Sequence, residues 1–248
     1  FSDIKVDNGK VEFKGDLSSI ARANLWLRTS DRVLLKMGEF EALSFEELFE
    51  KTKALPWEEW ITKNGKFTVK GKSVKSKLYS VSDCQSIVKK AIVEKLKSKY
   101  NVQWFEETGP EYTVQVSLLK DIATLTIDTS GVGLHKRGYR EKHTEAPIKE
   151  TLAAALIMIS YWNKRRSFMD NFRGSGTLPI EAALIGKNIA PGLNRTFASE
   201  KWPILGKELW KNERINALKQ IDQDRILDIH ASDIDPQAIK IAEENAYN

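Results

Sequence analysis

The residue types best suited to chemistry lie between Asp170 and Thr177, in the stretch DNFRGSGT. They follow a short run (Ser167, Phe168, Met169) that fits the end of a buried strand. After them, LPIEAALIG places Leu178, Ala182 and Ile185 on one side of a helix. A strand, a glycine bend and a helix start are the ingredients of a nucleotide pocket. The first N–H groups of such a helix are unpaired and face the bend. Gly174 and Gly176 allow a ligand to approach the backbone with no Cβ in the way. The same pair would also serve a tight turn that binds nothing.

A second acid stands in ILDIHASDIDPQAIKIAEENA. Here Ile226 to Ser232 reads as a strand and Pro236 as the opening of a helix. Asp233 holds the place where a carboxylate can accept both hydroxyls of a ribose. Asp235 is the expected helix cap. A dehydrogenase would use the same logic. Against it, the bend lacks the third glycine of GxGxxG, because Leu178 and Pro179 come soon after Gly176.

The elements that must position these residues come earlier in the chain. IKVDNGKVEF reads as a hairpin turning at Asn8-Gly9, and Asp16 caps a helix carrying Ile20, Ala23 and Leu27. Arg32 to Met37 is a further strand. Ser44 caps FEELFEK, with Glu47 completing a capping box. Trp57 and Trp60, beside Pro56, are expected to plug a core at a domain seam. Residues 61–100 carry eleven lysines against Asp83 and Glu94, a net +9, so the remainder is slightly acidic at −4. Ser82 and Gln85 would cap a helix on which Ile87, Val88, Ala91, Ile92 and Leu96 recur. Lys70, Lys72, Lys75, Lys77, Lys89 and Lys90 then project outward. A one-signed surface of this kind releases counterions from phosphates and gives salt-sensitive binding to nucleic acid. Tyr112, Val114, Val116 and Leu118, then Ala123, Leu125 and Ile127, alternate as an antiparallel pair turning at Lys120-Asp121. Beyond them SGVGLHKRGYREKHTEAP breaks all periodicity. It is either a plain linker or a loop in which Lys136, Arg137, Tyr139 and Arg140 meet phosphates and bases.

The 248 residues can bury a real core, and 41% hydrophobic with 29% charged content is that of a soluble globular protein. The net charge of +5 suits a polyanionic partner. Cys84 alone cannot form an internal disulfide and fits a reducing cytoplasm. His135, His143 and His230 show no metal-ligand spacing. The apolar run Leu152 to Ile159 is too short to span a bilayer. No signal peptide opens the chain, and Phe1 is not an initiator, so a beginning is expected to be missing.

SKLYSVSDCQSIVKKAIVEKL, the paired strands, GLHKRGYR, APIKETLAAALI, DNFRGSGTLPIEAALI and IAPGLNRTFASEKWP occur in this order. The chain thereby closely resembles bacterial THUMP-domain RNA methyltransferases over essentially its whole length. These are S-adenosylmethionine enzymes acting on guanosine N2 of ribosomal RNA, whose relatives were long labelled adenine-N6 DNA methylases. The resemblance implies a Rossmann-like α/β methyltransferase domain at 144–248, incomplete in this chain. It implies an α+β RNA-binding region at 1–143 before it: a ferredoxin-like part to about 60, THUMP at about 61–130 and a linker at about 131–143. S-adenosylmethionine is then the cofactor and 23S rRNA the expected partner. The resemblance puts Pro147 to Thr151 against the methionine end, Asp170 near the cationic portion, and Asn171, Phe172, Gly174, Ser175, Gly176, Thr177, Asp233 and Ile234 around the nucleotide. The usual spelling is DPFCGSGT, so Asn171 and Arg173 depart from it, and an arginine beside a sulfonium is tolerable only if it points away. IAPGLNRTFASEKWP becomes an insertion over the cofactor cleft with Trp202 plugging its base. The Asn/Asp-Pro-Pro-Tyr motif that would hold the target amine does not occur, so the catalytic residues are expected beyond Asn248. A DNA adenine-N6 methylase and a noncatalytic RNA-binding module with a vestigial cofactor fold are the competing readings.

Overall fold

The computed structural model describes residues 1–140 and 147–247. Of the linker expected at about 131–143, residues 141–143 lie outside the described residues, as does the domain start expected at 144; Val132 to Arg140 already belong to the unit that holds Glu150–Ile159 and Thr177–Gly186. In chain order the elements are β1 (Ser2–Asp7), β2 (Lys10–Lys14), α1 (Leu17–Trp26), β3 (Leu34–Glu41), α2 (Phe45–Lys53), β4 (Lys66–Val74), α3 (Val81–Tyr100), β5 (Glu111–Leu119) and β6 (Ile122–Asp128). They continue with α4 (Glu150–Ile159), β7 (Phe168–Asp170), α5 (Thr177–Gly186), α6 (Gly206–Lys219), β8 (Ile229–Ala231) and α7 (Pro236–Tyr247). Two compact units result. One joins Val33–Gly131 to Phe197–Lys207; the other joins Phe1–Arg32, Val132–Thr196 and Glu208–Asn248. The cut expected near residue 60 falls inside the first of these.

That first unit is built on a four-stranded sheet in the order β3-β6-β5-β4. β3 and β5 run antiparallel to β6, and β4 runs parallel to β5. The alternation read for β5 and β6 holds: Tyr112, Val114, Val116, Leu118, Ala123, Leu125 and Ile127 are all buried, as are Val88, Ala91, Ile92 and Leu96 of α3. β4 was hidden in the lysine run. Gly71 makes room there for α3, since a Cβ would meet Gln85 at 2.9 Å and Val81 at 3.1 Å. The α3 cap is Ser80 rather than Ser82, and the Gln85 amide donates instead to the Val69 carbonyl at 3.1 Å. The Ser44 hydroxyl accepts from Glu47 N–H as expected, but the Glu47 carboxylate returns to Leu43 N–H rather than to Ser44.

Tryptophans fill the rest of this core. Trp57 is fully buried and donates to the Thr52 carbonyl at 2.7 Å, so it sits within a unit and not at a seam. Trp202 stacks on Tyr112 at 5.1 Å and donates to the Glu111 carbonyl. Its burial is therefore against the β5 end of this sheet.

In the other unit Asp16 caps α1 through Ser19 N–H at 2.9 Å, and α1 is tied to α6 by Arg22–Glu213 at 2.8 Å. α4 and α5 pack together through small residues, with Ala153, Ala154, Ile157 and Ala182 buried. β7 and β8 pair in parallel, in register Phe168↔Ile229 and Asp170↔Ala231. A parallel pair with α5 running from the end of β7 and α7 from the end of β8 is a Rossmann-like βαβ arrangement. β7 keeps the expected length of three residues while β8 is shorter than the strand read over 226–232, and Met169 and Ile226 are exposed. Among the described residues the helices give them only one packed face. Pro147 does not open α4, whose N-cap is Lys149.

Candidate cofactor site and basic surfaces

The parallel register brings the carboxyl ends of β7 and β8 to the same side of the sheet, so Asp170 and Asp233 occupy neighbouring strand tips. The bend between them is stitched to β8. Ser232 N–H donates to the Asp170 carbonyl at 2.9 Å and Arg173 N–H to the Ser232 carbonyl at 3.1 Å. Gly174 N–H then donates to Asp233 Oδ2 at 2.9 Å. Asp233 Oδ1 accepts from Asp235 N–H at 3.0 Å. These bonds, that from Asp235 first, hold the Asp233 carboxyl below the usual carboxylate range. Asp235 in turn caps α7 by accepting from Gln237 N–H at 2.8 Å.

Both glycines have positive φ, and Gly176 has little room for a side chain. Gly174 and Gly176 have φ of +51° and +83°, and a Cβ on Gly176 would press on Ala242 of α7 at 3.0 Å. Ser175 and Thr177 are buried beneath the bend, and Asn245 donates to the Ser175 carbonyl at 3.1 Å. Asp170 Oδ1 accepts from Phe172 N–H at 3.0 Å, while its Oδ2 is buried without a hydrogen-bond partner. A buried carboxylate oxygen left unmatched is costly unless a cation or donor arrives, which fits the cationic end of S-adenosylmethionine. Phe172 and Ile234 stand 91% and 99% exposed beside the two acids, apolar surface that a purine could cover. Asn171 is exposed and Pro147 half-buried.

The departure at Arg173 is accommodated. Its guanidinium turns back toward the Ala231 carbonyl and lines a cleft of about 790 Å³ with Ile180, His230 and Ala242. Gly176 lines the same cleft, whereas Asp170, Asn171, Phe172 and Asp233 are not among its lining residues.

Two of the arginines expected to touch RNA do not face solvent. Arg137 is 3% exposed and pairs with the fully buried Glu181 of α5 at 3.3 Å. It also donates to the Leu134 and Arg28 carbonyls. Tyr139 OH donates to the same Glu181 oxygen at 3.2 Å. Burial pushes both the Glu181 carboxyl and the Tyr139 phenol up, and lowers the Arg28 guanidinium to about 10. Arg140 donates to Thr177 Oγ1 and the Ile148 carbonyl, and lies 3.4 Å from Glu150. The reason is chemical: a planar five-donor guanidinium can be satisfied inside a protein by carbonyls and one carboxylate. Lys136, between them, is exposed. Sequence reasoning missed Glu181, although a lone carboxylate within the apolar LPIEAALIG was the available signal.

The lysines are exposed as expected, but on more than one surface. Gly71 points at α3, so Lys70 and Lys72 on alternate positions of β4 face the other way. Lys89 and Lys90 ride on α3 itself. Lys75 and Lys77 lie past the end of β4, where Lys77 N–H donates to Asp121 at 2.6 Å. Among the described residues there is no cluster of metal-ligating side chains, and no helix long and apolar enough to cross a membrane.

Comparison with known proteins finds three domains in chain order. A ferredoxin-like domain of the RlmL type matches residues 1–34, a THUMP domain 42–128, and an RMKL-like methyltransferase domain 137–248. The "Putative RNA methyltransferase YpsC" of Bacillus subtilis (strain 168) is 59% identical over 98% of this chain. The "Ribosomal RNA large subunit methyltransferase K/L" of Psychromonas ingrahamii is 35% identical over 96%. The chain spans 64% of the first relative's length and 32% of the second's. Two solved structures superpose on 99% of this chain and on 65% of their own. One, from Listeria monocytogenes str. 4b F2365 and described as a predicted N6-adenine-specific DNA methylase, gives a TM-score of 0.96 at 57% identity. The other, SMU.472, a putative methyltransferase complexed with SAH, gives 0.93 at 48%. Residues 42–128 are thus similar to a THUMP domain and residues 137–248 to an RMKL-like methyltransferase domain, in a chain that spans less than two thirds of the length of these relatives.

Proposed function

We propose that this protein is an S-adenosylmethionine-dependent RNA methyltransferase of the cytoplasm, acting on guanosine N2 in 23S rRNA. The observation that carries the reading is the pair of acids on adjacent parallel strand tips, one with a buried oxygen lacking a partner. In this arrangement Asp170 would attract the cationic methionine portion, and Pro147 to Thr151 would border the methionine end. The backbone from Gly174 to Thr177 passes beneath the nucleotide, Asp233 accepts from its ribose, and Phe172 and Ile234 flank its base. When bound, the cofactor supplies an electrophilic methyl group to the exocyclic amine of a guanine that has left its stack.

RNA is held by the unit containing the THUMP domain, through Lys70, Lys72, Lys75 and Lys77 or through Lys89 and Lys90, with Lys136 as a further contact. The large-subunit rRNA target draws support from the name of the K/L relative. Calorimetry on the full-length protein should register S-adenosylhomocysteine binding that Asp233→Ala removes. In filter binding an rRNA fragment should displace duplex DNA. Absence of nucleoside binding would overturn the cofactor reading, and preferential retention of duplex DNA would overturn the RNA reading.

A further inference from the structure

We infer that Arg140 is a positioning residue for the cofactor site, holding the chain before α4 and the first turn of α5 at a fixed separation. The inference rests on the reading of the glycine bend as the S-adenosylmethionine site. Arg140 Nη2 donates to Thr177 Oγ1 at 2.6 Å and to the Ile148 carbonyl at 2.9 Å. Its Nε lies 3.4 Å from Glu150 Oε1, with both side chains largely buried. Thr177 is the residue directly after Gly176, and Ile148 follows Pro147. One guanidinium therefore bridges the two segments proposed to border opposite parts of the same ligand.

The placement of Arg140 is itself fixed. Thr177 and Glu181 lie one turn apart on one face of α5. The chain from Arg137 to Arg140 meets that face twice, with Arg137 and Tyr139 on Glu181 and Arg140 on Thr177. Between them Gly138 has φ +108°, and a Cβ there would lie 2.3 Å from the Asn194 carbonyl oxygen. Only glycine lets the chain pass, so the register of the arginines against α5 is set by backbone and side chains together. A lysine at 140 would keep the charge but lose the planar fork that spans acceptors on both segments.

The test compares the full-length parent with Arg140→Ala, Arg140→Lys and Tyr139→Phe by calorimetry with S-adenosylhomocysteine, by thermal melting, and by filter binding of an rRNA fragment. Tyr139→Phe removes one of the bonds that set the register while Arg137–Glu181 and the Arg140 bridge remain, and should weaken nucleoside affinity less than Arg140→Ala does. Arg140→Ala should weaken it by roughly tenfold or more, because the two segments bordering the ligand lose their common tie and the site is no longer preorganised. Arg140→Lys should recover part of that loss, because it keeps the charge beside Glu150. RNA affinity and its salt slope should not move. If Arg140→Ala fails to fold, the lysine variant decides, and parent-like nucleoside affinity in a folded arginine variant would overturn the inference. A salt slope reduced by about one in either variant would return Arg140 to the RNA surface and overturn it as well. If the parent binds no nucleoside, the cofactor reading fails first and is thereby told apart from a failure of the bridge.

Discussion

Two basic regions of this chain look alike in composition and behave oppositely in space. In the β4–α3 region the cations are lysines, and Lys70, Lys72, Lys75, Lys77, Lys89 and Lys90 all project into solvent. In the HKRGYR stretch the cations are mostly arginines, and Arg137 and Arg140 turn inward to carbonyls, Glu181 and Thr177. The difference follows from the two head groups. An ammonium is compact and strongly hydrated, and a flexible stem keeps it in water; a guanidinium is weakly hydrated and can be matched donor by donor inside. Positive charge in a sequence is therefore evidence of a polyanion surface only where nothing internal needs a planar donor.

The contrast can be broken most forcefully at Arg137. Arg137→Ala would leave Glu181 as a fully buried carboxylate without its main counterion, a change that costs about 3–5 kcal/mol. Urea unfolding at neutral pH measures it, and a loss below about 1 kcal/mol would mean that the pair is not holding the segment to α5. The pH dependence carries a sign. Burial raises the Glu181 carboxyl in the folded state, so its contribution to stability is greatest below the unfolded carboxylate pKa and is lost as pH rises through the raised value. The gap between parent and Arg137→Ala should therefore narrow as the pH is lowered from neutral toward the ordinary carboxylate range. A gap that widens on acidification would contradict a buried, charge-stressed Glu181.

A smaller effect separates the lysine surfaces from each other. Lys70 and Lys72 face away from α3, whereas Lys89 and Lys90 lie on it, so one RNA stem cannot lie flat on both. The double variant Lys70→Ala/Lys72→Ala should lower the slope of log affinity against log salt by about two, with stability unchanged within about 0.5 kcal/mol. Lys89→Ala/Lys90→Ala should leave the slope in place. The reverse result would move the RNA surface onto the helix, and equal losses would dissolve the distinction between the faces.

Much of this was legible because local physics and burial agree. β5 and β6 announce themselves because one face is buried along their whole length, and Asp16 and Ser44 because caps are local. The acids at 170 and 233 are legible because a parallel βαβ unit brings consecutive strand tips together. β4 was not legible. It is an edge strand guarded by Lys66, Lys70 and Lys72, and its inward positions include Gly71, so it reads as a charge run. Ser82 and Pro147 misled by satisfying local rules where tertiary bonds decided: the Gln85 amide is taken by Val69, and the Ile148 carbonyl by Arg140. The inward turn of Arg137 depends on a carboxylate 44 residues away, a partner that no local pattern near HKRGYR could supply.

Lys136 sharpens the comparison, because it is an exposed lysine inside the buried-arginine stretch. Its backbone is pinned: its N–H donates to the Gly133 carbonyl at 3.1 Å, and its own carbonyl accepts from Arg195 at 2.8 Å. Its side chain is nonetheless in solvent, beside an arginine that is 3% exposed. If head-group chemistry rather than position in the chain decides which cations turn inward, Lys136 must behave like the β4 lysines. Lys136→Ala should then shift stability by less than about 0.5 kcal/mol while reducing the RNA salt slope by about one. Lys136→Arg should keep the slope and leave the urea midpoint where it is. A stability loss in Lys136→Ala approaching that of Arg137→Ala would show that the stretch acts as one packed unit whatever its head groups, and the lysine–arginine contrast would no longer explain the fold of this segment.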